Sequence, residues 1–525
     1  MQALSEVIDA HAAARPTQLA YLEGNQTLSW QGYARRSQRL AGVLAGLGLA
    51  RGERLAVLLP DGPGVHIAYV AAEKMGLVAV GIGPRAGAAE LRHLLGTTRA
   101  AALISRATHR DLDLAATVAE LRATGELRHH LVVEAELDEG APLLVDGAAA
   151  AEPDLASLDE TVKQRRLAPQ EIFLLNSTSG TTGLPKCVVH DQSRWFAFHE
   201  LAVEAGELTD NDVFLSALPA PFGFGIWTGH VTPTLLGSPT VLLASFSPEE
   251  MLRRIEEHRV SVLAAVSTQF IMLLNSPELG QRDLSSLRVL FTGGEAVPYE
   301  RAAEFEDRTG ARVLQFYGSN ETGALSRTTT RDSREVRLRS AGRVIEEMQV
   351  RLFDEEGRDV TRSGRGQPGC RGRLTSRGYF EDPAANAKLV TADGWILTGD
   401  LVTLDAEGVL RVVDRVADFI IRGGKNVSAA EVESAASTHP DVALAAAVAM
   451  PDPVFGERVC LYAERRPGAE PSLGELVAHL EARGVSVELF PERLVLMDEL
   501  PRSSGGKIAK GRLREDARRR ARGGS

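Results

Sequence analysis

The chain has 525 residues, 44% hydrophobic and 25% charged, with 59 Lys+Arg against 70 Asp+Glu for a formal charge of −11. That length predicts several packed subdomains, and the acidic balance argues against a general nucleic-acid binder. No apolar stretch approaches the roughly 18 residues of a membrane span, no secretory signal is visible, and three widely spaced cysteines (Cys187, Cys370, Cys460) predict neither a disulfide framework nor a zinc site. The expectation at this level is a cytoplasmic enzyme.

In chain order, strands are predicted at 54–59 and 78–82 and helices at 64–75 and 88–95. The alternation recurs with strands at 260–266 and 287–291, the latter followed by a helix near 299–308. Strand–helix–strand alternation predicts parallel sheets with helices on their faces. After residue 400 the pattern changes. Residues 401–413 read as a hairpin around Ala406-Glu407-Gly408, followed by a charged stretch at 414–418, a Gly-rich turn at 422–426 and a helix from 429. A domain boundary is placed near 415–418. The last 24 residues hold nine Lys/Arg and two Asp/Glu, which reads as a solvated helical tail or an anion-binding patch.

The strongest chemical signal is Thr178-Ser179-Gly180-Thr181-Thr182-Gly183-Leu184-Pro185-Lys186, entered and left by apolar runs. Four hydroxyls, two glycines and a lysine can supply many donors to a polyphosphate, the glycines letting backbone N–H groups approach closely. It is not a Walker A loop, because Pro185 precedes Lys186 and Cys187 follows it. Composition alone leaves a polar turn between strands equally open.

This loop resembles the phosphate-loop signature of the adenylate-forming superfamily of acyl-CoA synthetases, adenylation domains and luciferases. Further resemblances follow in the family's order: Tyr317-Gly318-Ser319-Asn320-Glu321-Thr322, Gly394-Trp395-Ile396-Leu397-Thr398-Gly399-Asp400, Asp414-Arg415-Val416-Ala417-Asp418 with Glu431-Val432-Glu433, and Pro501-Arg502-Ser503-Ser504-Gly505-Gly506-Lys507. The resemblance runs from about residue 5 to 515. It implies an α/β fold: a large N-terminal adenylation domain (1–416) of parallel and mixed sheets with a barrel-like subdomain, and a small mobile α+β C-terminal domain (417–525).

The resemblance also implies roles. Thr178, Ser179, Gly180, Thr181, Thr182, Gly183 and Lys186 would hold the β- and γ-phosphates of ATP, and Glu321 would help hold Mg²⁺. Phe316, Tyr317 and Gly318 with Gly293, Gly294 and Glu295 would receive adenine, and Asp400 and Arg415 the ribose or α-phosphate. Lys507 would be the catalytic lysine of adenylation, with Glu321 and Asn320 beside it in that step; Asn320 stands where the family usually has threonine. Gly423, Gly424 and Lys425 would line the coenzyme A tunnel. Ala417 takes the hinge position, commonly Asp or Lys.

Phe222, Gly223, Phe224 and Trp227, with Gly294 and Gly318, fall where the family gates and lines its acyl pocket. No acid stands where amino-acid-activating relatives place an aspartate, which favours a carboxylic acid with an apolar body, bulky alicyclic, aromatic or polycyclic. The implied function is an acyl-CoA ligase using ATP, Mg²⁺ and CoA. The alternative is a stand-alone adenylation enzyme loading the phosphopantetheine of a carrier protein, and a luciferase-like oxygenase is a third use of this fold. A non-catalytic nucleotide-binding protein would be expected to lack Lys507, Glu321 or Asp400, and all three are present. Expected partners are a small-molecule acid, CoA or a carrier protein, and a second copy of the chain, with no nucleic acid.

Overall fold

The computed structural model describes residues 1–525 apart from 111, 113, 124, 126, 134–136, 138–140, 179–183, 296, 416–417, 504–505 and 524–525. The chain divides into two compact units. One comprises Met1–Ala264 with Ser319–Gly323 and Arg373–Leu389; the other comprises Ala265–Gly318, Ala324–Gly372 and Val390–Ser525. The expected division after residue 416 falls inside the second unit.

The first unit contains an eight-stranded sheet in the order Cys187–Asp191, Ile172–Ser177, Val78–Gly81, Arg54–Leu58, Ala100–Ser105, His129–Val133, Leu143–Val145, Ala148–Ala149. Its central pairs are parallel and its edge pairs antiparallel. Neighbouring strand residues face opposite sides, and adjacent Leu103 and Ile104 are both 0% exposed, so both faces of this strand are covered. Leu91, Leu94 and Leu95 of helix Ala88–Thr98 join Val118 and Leu121 of helix Leu114–Ala123 in that core. Each buried leucine contributes about 1.5–3 kcal/mol relative to exposure. A second run of strands orders Val262–Ala264, Phe214–Ser216, Thr240–Leu242, Leu19–Glu23 and Gln26–Ser29, parallel except for the last hairpin.

In the second unit Val289–Thr292 lies parallel to Arg312–Ser319. The hairpin expected after residue 400 is present, with Asp400–Leu404 antiparallel to Leu410–Arg415. It belongs to a five-stranded antiparallel sheet with Met348–Phe353, Arg365–Gly372 and Ile396–Leu397, which corresponds to the barrel-like subdomain. Another five-stranded sheet orders Lys425–Val427, Ile420–Arg422, Gly456–Arg465 and Val442–Asp452, with Arg493–Met497 added parallel to Gly456–Arg465. Helices Ala429–Ala436 and Leu473–Ala482 close its core through Val432, Ala436 and Leu476, giving the small α+β part.

The basic tail is helical over Lys510–Gly523, and two of its cations are not simply solvated. Lys510 Nζ lies 2.7 Å from Glu433 and 3.8 Å from Asp418, and Arg514 pairs with Asp418. Burial opposes the Lys510 charge, but these carboxylates outweigh it and hold its pKa above the usual lysine range. All three cysteines are buried thiols. Among the described residues no helix is long and apolar enough to cross a membrane.

Candidate active site

In the first unit the antiparallel pair Ile172–Ser177 and Cys187–Asp191 carries the Ser/Thr/Gly loop at its end. Thr178 N–H donates to Lys186 O (2.8 Å) and Lys186 N–H to Thr178 Oγ1 (3.1 Å), closing the base of the loop. Ser179, Gly180, Thr181, Thr182 and Gly183 lie outside the described residues. Lys186 Nζ sits 4.8 Å from the centroid of the Tyr379 ring, and the Tyr379 hydroxyl donates to Glu321 Oε1 at 2.8 Å. Burial and the Glu321 carboxylate push the Tyr379 phenol well above its usual range, so it remains a donor.

Glu321 belongs to a tight polar turn. Ser319 Oγ accepts from the N–H groups of Glu321 and Thr322, both at 3.2 Å, and the Glu321 carbonyl accepts from Ser376 N–H at 2.8 Å. Buried Arg194, from helix Gln192–Gly206, donates from Nη2 to Asn320 O (2.6 Å) and from Nε to Leu374 O. Asp191 caps that helix by accepting Arg194 N–H at 3.0 Å.

The aromatic segment expected to gate an acyl pocket is helical. A single turn at Gly223–Gly225 passes into a π-helical turn at Ile226–Val231. Trp227 is 1% exposed and meets Phe224 and Phe198 edge-on at 5.9 and 5.4 Å, so it is core, whereas Phe222 and Phe224 are half-buried. Gly223 faces Asn320 and Trp195. Just before the segment, Ala220 N–H donates to Asp61 Oδ1 at 2.9 Å. Burial pushes the Asp61 carboxyl up to about 7, against the pull of that N–H. Burial likewise keeps His66 and His230 neutral, stacked 5.3 Å apart.

The second unit brings together another expected set. Tyr317 OH donates to Asp400 Oδ2 at 2.7 Å, and Arg415 Nε lies 3.3 Å from Asp400 Oδ1. Burial raises the Asp400 pKa, with Arg415 and Tyr317 opposing it. Phe316 stacks on Phe291 at 5.9 Å, and Phe291 stands two residues before Gly293-Gly294-Glu295. Gly294 has φ +79°, and Glu295 accepts from Thr268 N–H at the start of helix Ser267–Asn275. Lys507 Nζ donates to Gly294 O at 2.6 Å across 213 residues of sequence. Its own loop is closed by Ser503 N–H to Lys507 O at 2.7 Å.

Gly423 and Gly424, φ +59° and +83°, form the two-residue turn between Ile420–Arg422 and Lys425–Val427, a geometry that favours glycine. Space beside Gly424 is open, and Lys425 pairs with Glu488. Ala417 lies outside the described residues. Asp414 precedes it and Ser428 follows it, and Ser428 Oγ donates to Asp414 Oδ2 at 2.7 Å.

Reading the sequence missed Tyr379, Arg194 and Asp61. Each acts through a partner more than 50 residues away, and no local pattern marks it.

The AMP-binding enzyme profile matches residues 8–380 and the AMP-binding enzyme C-terminal domain profile residues 431–507. Pyochelin synthase PchD of Pseudomonas aeruginosa is 32% identical, covering 99% of this chain and 93% of its own length. A 2-hydroxy-7-methoxy-5-methyl-1-naphthoate–CoA ligase of Streptomyces carzinostaticus is 33% identical over 97% of this chain and 92% of its own. The crystal structure of the anthranilate CoA ligase AuaEII with anthranoyl-AMP superposes with a TM-score of 0.85 at 22% identity, covering 99% of this chain and 98% of that one.

Proposed function

The chain belongs to the AMP-binding enzyme family, and on that premise we propose that it is an acyl-CoA ligase for a carboxylic acid with a bulky apolar body, most simply an aromatic or polycyclic acid. The acid attacks the α-phosphate of ATP to give acyl-AMP and pyrophosphate, and the CoA thiol then displaces AMP. The aryl-CoA ligase among the relatives at 33% identity supports the substrate class. So does the half-buried aromatic pair Phe222 and Phe224 beside Gly223.

The observation that carries the reading is Lys507 on Gly294 O. The family resemblance gives Gly294 to the adenine and acyl ends of the adenylate. An ammonium delivered there can neutralise both the attacking carboxylate and the α-phosphate as negative charge gathers in the transition state. Asp400, held by Tyr317 and Arg415, keeps acceptor capacity for ribose hydroxyls. Asn320 offers an amide donor to the α-phosphate in place of the usual hydroxyl. Lys186 and the loop 178–183 address the β- and γ-phosphates.

Among the described residues no group of three or more His, Cys, Asp or Glu converges as a metal cage, while Glu321 offers a single fixed carboxylate. That donor set fits Mg²⁺, which is commonly held by one or two carboxylates, water and substrate phosphates. When bound, the ion would neutralise charge on the departing pyrophosphate. The CoA tunnel at Gly423, Gly424 and Lys425, a hinge at Ala417 and a domain division at 416/417 complete the reading. The gap between the two matched profiles, 380 to 431, supports a division in that region.

The test is acid-dependent pyrophosphate release over a panel of aryl and alicyclic acids, followed by mass spectrometry after adding CoA. Acyl-CoA in the product supports the reading. Acyl transfer only to a phosphopantetheine-bearing carrier protein would assign that acceptor instead.

A further inference from the structure

Tyr379 touches both groups that the proposed function turns toward the triphosphate. Its hydroxyl donates to Glu321 Oε1 at 2.8 Å, and its ring lies 4.8 Å below Lys186 Nζ. The backbone around it is fixed. Tyr379 bridges Val188 as an extra rung beside strand Cys187–Asp191, Phe380 N–H donates to Cys187 O, and Val189 N–H donates to Gly378 O. Asn386 closes the other side, accepting Tyr379 N–H and donating to Tyr379 O, both at 2.8 Å. The strand that leaves the phosphate loop therefore sets both Lys186 and the ring beneath it.

The turn that bears Glu321 is anchored separately. Ser376 N–H holds the Glu321 carbonyl, and Arg194 holds the Asn320 carbonyl. Neither contact constrains the carboxylate, whose side-chain torsions would otherwise leave it several orientations. The tyrosine hydroxyl restricts that freedom by engaging Oε1.

Resting on the function proposed above, we propose that Tyr379 is a positioning residue with two separable parts. The hydroxyl presents Glu321 to the divalent cation that travels with ATP, and the ring presents Lys186 to the phosphates. No bond is made or broken at Tyr379.

The two parts come apart in Tyr379→Phe, which keeps the ring, and Tyr379→Leu, which keeps neither. The first measurement is equilibrium Mn²⁺ binding, read by electron paramagnetic resonance, to the full chain with an ATP analogue that cannot be cleaved between the α- and β-phosphates. The second is pyrophosphate release, titrated in Mg²⁺ at saturating ATP and in ATP at saturating Mg²⁺. Loss of a hydrogen bond to a charged group should weaken Mn²⁺ binding and raise the half-saturating Mg²⁺ roughly tenfold in the Phe variant. Its KM for ATP at saturating Mg²⁺ should stay within about twofold of the parent. The Leu variant should show the same cation defect and a KM for ATP raised by roughly threefold, the scale of a lost cation–π contact.

In Glu321→Gln, adding Tyr379→Phe should change Mn²⁺ affinity no further. Unchanged Mn²⁺ binding in the Phe variant overturns the proposal, as does an equal rise of both constants in the Phe and Leu variants. The Phe variant differs by one oxygen atom, so the result stands even if the Leu variant fails to fold. Failure of the parent to release pyrophosphate with any acid would sink the proposed function instead, and the Mn²⁺ measurement remains independent of it.

Discussion

A Cβ on Gly223 would stand 2.7 Å from Asn320 Oδ1. The next contact, Trp195 Cη2 at 3.7 Å, is ordinary packing, so the pressure falls on the amide alone. Glycine at 223 and asparagine at 320 are fitted to one another, and 320 is the position where this chain departs from the usual threonine. Gly223→Ala should therefore push the Asn320 side chain aside at little cost to stability. Displacing a group by about 1 Å in a reacting site can cost up to about a hundredfold, so kcat/KM for pyrophosphate release should fall roughly ten- to hundredfold. Adding Asn320→Thr, with a shorter side chain, should recover part of the loss. No recovery would mean the two residues are uncoupled.

Lys507→Ala should abolish acyl-AMP formation, by on the order of a hundredfold or more, while CoA transfer from supplied acyl-AMP stays largely intact. The ammonium sits on Gly294 O, and on the proposed reading that is where the first half-reaction gathers charge. Timing the two half-reactions separately checks this. Equal loss of both would contradict the assigned role.

Gly424→Leu should keep pyrophosphate release and accumulate bound acyl-AMP. A Cβ added at Gly424 meets nothing within 4 Å, and on the proposed reading the rest of the leucine would stand in the path of the CoA thiol arm. Its φ of +83° makes the change cost about 1–2 kcal/mol in stability. Gly424→Asn tolerates that backbone better and separates strain from blockage. Normal CoA turnover in a folded Leu variant would remove the tunnel assignment.

Asp61 supplies a pH signature. Its carboxyl is raised to about 7 in the fold, above its unfolded value, so the folded state holds the proton more tightly. The stability this contributes is full below about pH 4 and is lost as pH rises to about 7, with nothing further above. Asp61→Asn keeps an oxygen acceptor for Ala220 N–H and cannot ionise. Its melting temperature relative to the parent should rise between pH 4 and 7 and level off beyond, worth about 4 kcal/mol at most. A flat difference across that range would show that Asp61 ionises freely in the fold.

The sequence disclosed elements whose signal is local. The strand pair on either side of the Ser/Thr/Gly loop was legible because apolar runs form it, and the hairpin after residue 400 was legible because alternating residues flank Ala406-Glu407-Gly408. Strand ends were less legible: the expected 260–266 shortens to Val262–Ala264, and 287–291 shifts to Val289–Thr292. The helical course of Gly223–Gly225 was hidden because a stretch rich in glycine and proline reads as a loop. Tyr379 was illegible for a different reason. Its meaning depends on a bridge to Val188 and a hydroxyl contact 58 residues away, which no window of neighbouring residues contains.

Arg194 has a consequence for how the chain is made. Its guanidinium ties helix Gln192–Gly206 to the carbonyls of Asn320 and Leu374, 126 and 180 residues downstream. The side chain is also largely shielded from water, at 6% exposure for the residue. A ribosome that has delivered the first 264 residues has supplied most of this unit but neither acceptor. The nascent chain must then either keep that helix loosely packed or bury donors whose acceptors have not yet been synthesised, which costs about 1–3 kcal/mol for each donor left unsatisfied. Contacts of such long sequence separation also form slowly. Vectorial folding, in which an N-terminal domain settles before the rest emerges, is therefore disfavoured here. Nascent chains stalled at residue 264 should stay protease-sensitive, and those stalled well past 389 should not.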